Sequence, residues 1–248
     1  MKYAKILLAM LLALAMVFAL AMPAFAEEAE DDCSATLWQR IWNQIVFYWN
    51  YIMWILGLGP NPDIIFYKPV IYLYPEQPTE IAVTLQTHDA HFIETIPEYN
   101  GGWRVLAQPD GVLTDLSDGE QYPYLFWEAK LETPWPRPTE GFVVARDDLA
   151  GFLEEKLRFL GLNDAEAGEF IEFWLPRLAV NAYTLIHFSG EEYEARFPLE
   201  ITPAPDCLLR VFMVARAAKG NERIASQALV PFERKGFMAI EWGGTILG

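Results

Sequence analysis

Glu128 and Glu241 are the two carboxylates whose neighbours could support chemistry. Glu128 closes the run Tyr124-Leu125-Phe126-Trp127-Glu128, and Glu241 stands directly before Trp242. Each is expected at the end of an aromatic strand. Two carboxyls beside tryptophans suit glycoside hydrolysis, one as an acid with a raised pKa, the other as base or nucleophile. That chemistry needs the pair within roughly 5–10 Å of each other across one cleft. The competing expectation is structural. Glu128 then pairs with an arginine such as Arg146, Arg210 or Arg216, and Glu241 fixes a terminal loop.

Aromatic recognition is the next candidate. Trp103, Tyr122 and Trp135 could stack on sugar rings or on a peptide, while Trp127 is expected in the core. Trp135 lies in Pro134-Trp135-Pro136-Arg137-Pro138, a stiff loop suited to displaying a side chain. Ligands for a metal are sparse. Asp110, Asp115 and Asp118, with Glu120, could hold calcium, but their spacing is not that of an EF-hand, and two hairpin turns account for the Asp-Gly pairs. The three histidines, His88, His91 and His187, form no zinc motif. No G-x-S-x-G elbow and no G-x-G-x-x-G loop occurs; Gly101-Gly102 and Gly243-Gly244 read as turns. No cofactor is expected. Cys33 and Cys207 allow one disulfide after export, or remain two free thiols.

The segments that come before these residues set the compartment. Lys2 and Lys5, the uncharged run Ile6 to Met22 and the Ala24-Phe25-Ala26 site read as a secretory signal over residues 1–26. An acidic leader follows at 27–35. Residues 36–59 carry Trp38, Trp42, Trp49 and Trp54, and no charge occurs from Ile41 to Pro62. At helical spacing Ile41, Ile45, Trp49, Ile52 and Leu56 share a broad apolar face opposite Arg40, Asn43 and Asn50. This amphipathic helix is expected to pack on the domain or a partner, to lie on a membrane surface or envelope component through residues 36–58, or to span the bilayer, which its three amides disfavour. Residues 60–63 form a linker. The 248-residue chain has a net charge of −16, and loss of the two signal lysines makes the mature chain more acidic still. Such a chain repels phosphate backbones, so nucleic acid is excluded as a partner.

Residues 64–248 read as a single α+β domain, antiparallel and β-rich, sandwich-like, with an inserted αα-hairpin at about 147–178. The run Lys68–Glu76 (Lys-Pro-Val-Ile-Tyr-Leu-Tyr-Pro-Glu) is expected as the first core strand, with Pro69 where it begins. Thr79–Thr87 alternates as a half-buried strand. Trp103–Ala107 and Val112–Thr114 flank an Asp-Gly turn, a strong hairpin signal. With Tyr122–Leu131, residues 64–131 read as a β-meander, and His88–Glu94 as a turn. Asp147-Asp148 and Gly161 bracket one helix, and Asn163 with Glu166 signals a capping box for the next, which Pro176 bends or ends. Tyr183–Phe188, Tyr193–Ile201, Leu208–Arg216 and Phe237–Trp242 return to strand character.

Taken together, Lys68–Pro75, Tyr99-Asn100-Gly101-Gly102-Trp103, Pro109-Asp110-Gly111, Tyr124–Glu128 and Pro231–Phe237 through Glu241–Gly244 resemble a family of uncharacterised secreted proteins, mainly bacterial. The resemblance spans about residues 64–246 and implies one intact, extracytoplasmic domain. It implies no activity and no catalytic residue. The leading expectation is an exported, non-catalytic binding or envelope protein. The alternatives are a hydrolase of glycan or peptide using the carboxylate pair, and a membrane-attached scaffold.

Overall fold

The computed structural model describes residues 65–248. The expected signal (1–26), leader (27–35), Trp-rich helix (36–59) and linker (60–63), and with them Cys33, lie outside the described residues.

Two sheets and a helical hairpin make three layers. The strands are β1 (Ile65–Tyr74), β2 (Thr79–Leu85), β3 (Ala90–Ile96), β4 (Trp103–Ala107), β5 (Leu113–Asp115), β6 (Gln121–Tyr122), β7 (Leu125–Leu131), β8 (Phe142–Ala145), β9 (Tyr183–Ser189), β10 (Leu199–Thr202), β11 (Cys207–Ala217) and β12 (Met238–Leu247). The larger sheet has seven strands in the order β3-β7-β1-β12-β11-β9-β8, and the smaller has five, β10-β2-β4-β5-β6. Pairing is antiparallel throughout except for β11 and β12, which run parallel. The fold is α+β, β-rich and sandwich-like.

Alternation assigns each residue to a face. In β2, Ile81, Val83 and Leu85 are buried, and Val105 and Ala107 of β4 meet them from the same sheet. Opposite stand Ile71, Leu73, Leu125, Trp127 and Phe212 of the larger sheet, closing the first core. The other face of that sheet presents Val70, Tyr72, Val211, Met213, Ile240 and Trp242 to a second core. Helices α1 (Leu149–Leu160) and α2 (Asp164–Leu178) cover that core through Leu153, Leu157, Phe170 and Trp174. Strands β11 and β12 are thus covered on both sides, which is why they read as continuous apolar runs.

Local signals account for the hairpin of helices. Gly161 ends α1 at φ 105°, a left-handed conformation that favours glycine. Asn163 caps α2, accepting from the Glu166 N–H at 2.9 Å while the Glu166 carboxylate accepts from the Asn163 N–H at 2.8 Å. Pro176 sits inside the last turn of α2 without ending it, and the helix runs to Leu178.

Five expectations are corrected. Residues 64–131 are not one meander, because β1, β3 and β7 join the larger sheet and β2 and the short run β4-β5-β6 join the smaller. The His88–Glu94 region contains most of β3, an edge strand with Ile93 and Ile96 exposed. The run Tyr193–Ile201 begins inside a short helix, α3 (Glu191–Arg196), whose Tyr193 fills the inter-sheet core, and only Leu199–Thr202 is strand. Gly243 and Gly244 lie within β12, not in a turn. Pro69 falls in the middle of β1, at a bulge.

Candidate functional site

The bulge at Lys68-Pro69 is the most unusual backbone feature. Pairing of β1 shifts register between Tyr67 and Val70 against β12, and between Phe66 and Val70 against β7. Proline has no N–H for a ladder, so a bulge is where a central strand tolerates it. Lys68 adopts φ 50°, which a residue with a side chain rarely does. Gly243 makes room for the kink: a Cβ there would stand 2.8 Å from Pro69 Cα. The Lys68 N–H, turned out of the ladder, donates to Oε1 of Glu128 at 3.1 Å. The Lys68 ammonium lies 5.3 Å from the Trp242 ring centroid and 5.4 Å from that of Phe173 on α2, within cation–π range.

Glu128 leaves β7 on the helix-bearing side of the larger sheet, as does Phe126, while Leu125, Trp127 and Ala129 enter the inter-sheet core. Partial burial pushes the Glu128 carboxyl above the usual carboxylate range. The Lys68 N–H and the Arg177 charge work against that rise, and Glu94, its partner on β3, adds to it. Three tyrosines extend the face. The Tyr72 and Tyr74 rings stack with centroids 6.1 Å apart, and Tyr124 meets Tyr72 edge-on at 5.4 Å. The Tyr72 hydroxyl donates to Oε2 of Glu169 on α2 at 2.9 Å. Burial and the neighbouring carboxylates push the Tyr72 and Tyr74 hydroxyls upward, and burial does the same to Tyr124. All three stay protonated donors at physiological pH. The result is one sheet face that carries the half-buried rings of Tyr74, Tyr124 and Phe126 beside the buried Tyr72, with the partly buried Glu128 carboxylate further along β7.

Glu241 belongs to the opposite face. It accepts from Trp127 Nε1 at 3.1 Å and from Arg210 Nε at 2.6 Å, with the two charged side chains 1% and 3% exposed. Arg210 Nη1 donates to the Phe197 carbonyl at 2.7 Å, and its guanidinium lies 4.5 Å from the Tyr193 ring centroid. Burial, with Glu241 beside it, pushes the Tyr193 hydroxyl well up. This is a buried ion pair tying β11 to β12. The expected dyad is therefore corrected. Strand alternation sends Glu128 and Glu241 to opposite sides of one sheet, with β1 running between their strands, so they share no cleft. Nor does Glu241 fix a terminal loop, since it sits within β12. Arg210, one of the arginines considered for Glu128, pairs with Glu241.

The other candidates are placed by their partners. Trp135 is 5% exposed and meets Phe66 edge-on at 5.2 Å, with the Arg196 guanidinium 4.9 Å from its ring. The proline loop turns it inward, and it displays nothing. Trp103 is buried, its Nε1 donating to the Pro97 carbonyl at 2.9 Å. The Tyr122 hydroxyl donates to Asp118 Oδ2 at 2.7 Å, and that bond pushes it up to about 12. Asp110, Asp115 and Asp118 each accept from a backbone N–H two residues on, so each carboxylate serves its own turn. Among the described residues no three His, Cys, Asp or Glu side chains gather to hold a metal ion. His91 faces Glu132 at 3.8 Å, and burial lowers the His187 pKa. Cys207 Sγ lies 3.8 Å from the Glu233 carbonyl; its expected disulfide partner, Cys33, is outside the described residues. Sequence reasoning missed the role of Lys68 and of the tyrosines at 72, 74 and 124. The one available signal was a Lys-Pro step inside a core strand.

Fold and site together define a three-layer α+β domain with an aromatic, carboxylate-bearing sheet face. No family model and no solved structure matches the chain. One stretch of 64 residues is 47% identical to a protein of Butyrivibrio fibrisolvens described as "Uncharacterized protein in bglA 3'region". The match covers 25% of this chain and spans 64% of that relative's length.

Proposed function

We propose that the protein is an exported, non-catalytic binding protein of the cell envelope or exterior, and that it takes a neutral glycan on the half-buried face built by Tyr74, Tyr124, Phe126 and Glu128. The observation that carries this reading is the partly buried Glu128 carboxylate, fixed by the Lys68 N–H on the same sheet face as the Phe126 and Tyr124 rings. Aromatic rings offer apolar area to sugar faces, and a fixed carboxylate and protonated tyrosine hydroxyls offer hydrogen bonds to sugar hydroxyls. The strong negative charge of the chain disfavours anionic polymers, which leaves neutral ones. Separation of Glu128 from Glu241 onto opposite faces of the sheet removes the carboxylate pair on which a hydrolase reading would rest, and so favours binding. Export rests on the signal-like residues 1–26. Residues 36–58 supply contact with a membrane surface or another envelope component.

The test is calorimetric titration of the full chain with soluble laminarin, xylan and cello-oligosaccharides. Saturable binding to one of them, weakened at least ten-fold by Tyr124→Ala or Glu128→Gln without loss of the folded circular-dichroism spectrum, supports the reading. No binding to any neutral glycan, or binding indifferent to both substitutions, overturns it.

A further inference from the structure

A second place in the molecule displays polar groups with no partner. The turn Tyr99-Asn100-Gly101-Gly102 enters β4 on the smaller sheet, and the segment Asp115–Ser117 leaves β5 beside it. Between them lies a depression of about 270 Å³, lined by Glu98, Asn100, Trp103, Arg104, Asp115 and Ser117, among others. It falls just below the roughly 300–1,000 Å³ of drug-sized pockets, so its occupant is small. Among the described residues the Glu98, Asn100 and Arg104 side chains make no hydrogen bond or ion pair. Glu98 and Arg104 line the same depression with opposite charges yet do not bridge it.

The walls that carry these groups are fixed. Tyr99 N donates to Thr95 Oγ1 at 2.9 Å, and the Tyr99 hydroxyl meets both the N–H and the carbonyl of Leu85 at 3.0 Å. Trp103 Nε1 holds the Pro97 carbonyl, and Leu116 N donates to the Arg104 carbonyl at 2.9 Å. Gly102 sits at φ 152°, and a Cβ there would meet Thr84 Cγ2 at 3.1 Å. Asp115, 3% exposed, accepts from the N–H and the hydroxyl of Ser117 and so fixes the opposite wall. The backbone that carries these side chains is therefore held in place before a ligand arrives, which lowers the ordering cost of binding.

We infer that this depression is a binding site for a small zwitterion of the free α-amino acid class, its carboxylate on Arg104 and its ammonium on Glu98, with the Asn100 amide between them. Guanidinium takes a carboxylate as a fork, and a carboxylate is the natural acceptor for an ammonium. The site lies on the smaller sheet and does not depend on the proposed glycan face.

The test is NMR titration of the full chain with glycine and L-alanine, with N-acetylglycine and glycinamide as ligands lacking one charge each. The expected result is saturable shifts of the Asn100 and Arg104 amides with the zwitterions. Affinity should fall at least ten-fold in Arg104→Met, in Glu98→Gln, and for both single-charge analogues. Glu98 and Arg104 are exposed, and an unchanged spectrum elsewhere confirms that each variant is folded. Absence of saturable binding by either amino acid, or binding unchanged in Arg104→Met, overturns the inference.

Discussion

The backbone N–H of Lys68 donates to the side chain of Glu128 across 60 positions of sequence, at 3.1 Å. This bond joins the bulged strand β1 to β7 where their ladder is interrupted. Its acceptor is a carboxyl that burial holds above its ordinary value. The folded state therefore favours the protonated form relative to the unfolded chain. The contribution of Glu128 to stability is fully present below the unfolded carboxylate pKa of about 4.3 and is lost as pH rises through the higher folded value. Glu128→Gln keeps an acceptor and removes the charge. Thermal midpoints of the two proteins should lie close together at pH 4, with Glu128→Gln equal or higher at pH 7. A variant markedly less stable than the parent at pH 7 would show that the charge itself holds the bulge.

The buried pair Arg210–Glu241 gives a larger effect. Leaving one charge unpaired in a core costs about 3–5 kcal/mol, whereas removing both can be far cheaper. Arg210→Met and Glu241→Leu should each destabilise by about that amount in urea titrations. The double variant should be less destabilised than the sum of the two, because the partners touch. Strict additivity would contradict the pairing.

Gly244 stands against the hairpin of helices. A Cβ on it would lie 2.5 Å from the Met213 carbonyl oxygen and 2.8 Å from the Trp174 ring. Gly244→Ala forces a shift in α2 or β11 and should cost about 1–3 kcal/mol by overpacking. Gly151, with nothing within 4 Å of its Cβ position, is the control. Gly151→Ala in helix α1 should stabilise by up to about 1 kcal/mol.

Trp135 separates a displayed ring from a packed one. It contacts Phe66 and Phe212 in the inter-sheet core. Truncation to alanine should cost about 3–5 kcal/mol, as for other buried tryptophans. A displayed ring would leave the unfolding midpoint almost unmoved.

Elements governed by local rules were legible in the sequence. The Asn163–Glu166 capping box, the Gly161 terminus, the alternation of β2 and the Asp110-Gly111 hairpin all stand where their residues place them. Which sheet each strand joins was not legible, because alternation reports that one face is buried and not against what. β3 was missed since it is an edge strand that leaves Ile93 and Ile96 exposed and sends only Ala90 and Phe92 against the core, and α3 since six residues give too short a period to read. The carboxylate pair failed on parity. Glu128 and Glu241 both sit beside tryptophans, but only register decides which side of a sheet a residue meets. The glycines at 243 and 244 read as a turn because what they accommodate, Pro69 and Trp174, is remote in sequence.

Strand β12 lies between β1 and β11, so the two ends of the domain's sequence are paired at the centre of its larger sheet. Local hairpins cannot serve as a folding scaffold here, because the central ladder closes almost the whole domain into one loop. High contact order of this kind makes assembly slow and concerted. A fragment lacking either β1 or β12 would hold two half-sheets with raw inner edges, prone to pair with their own kind. Cooperativity is thus written into the strand order: this domain exists whole or hardly at all.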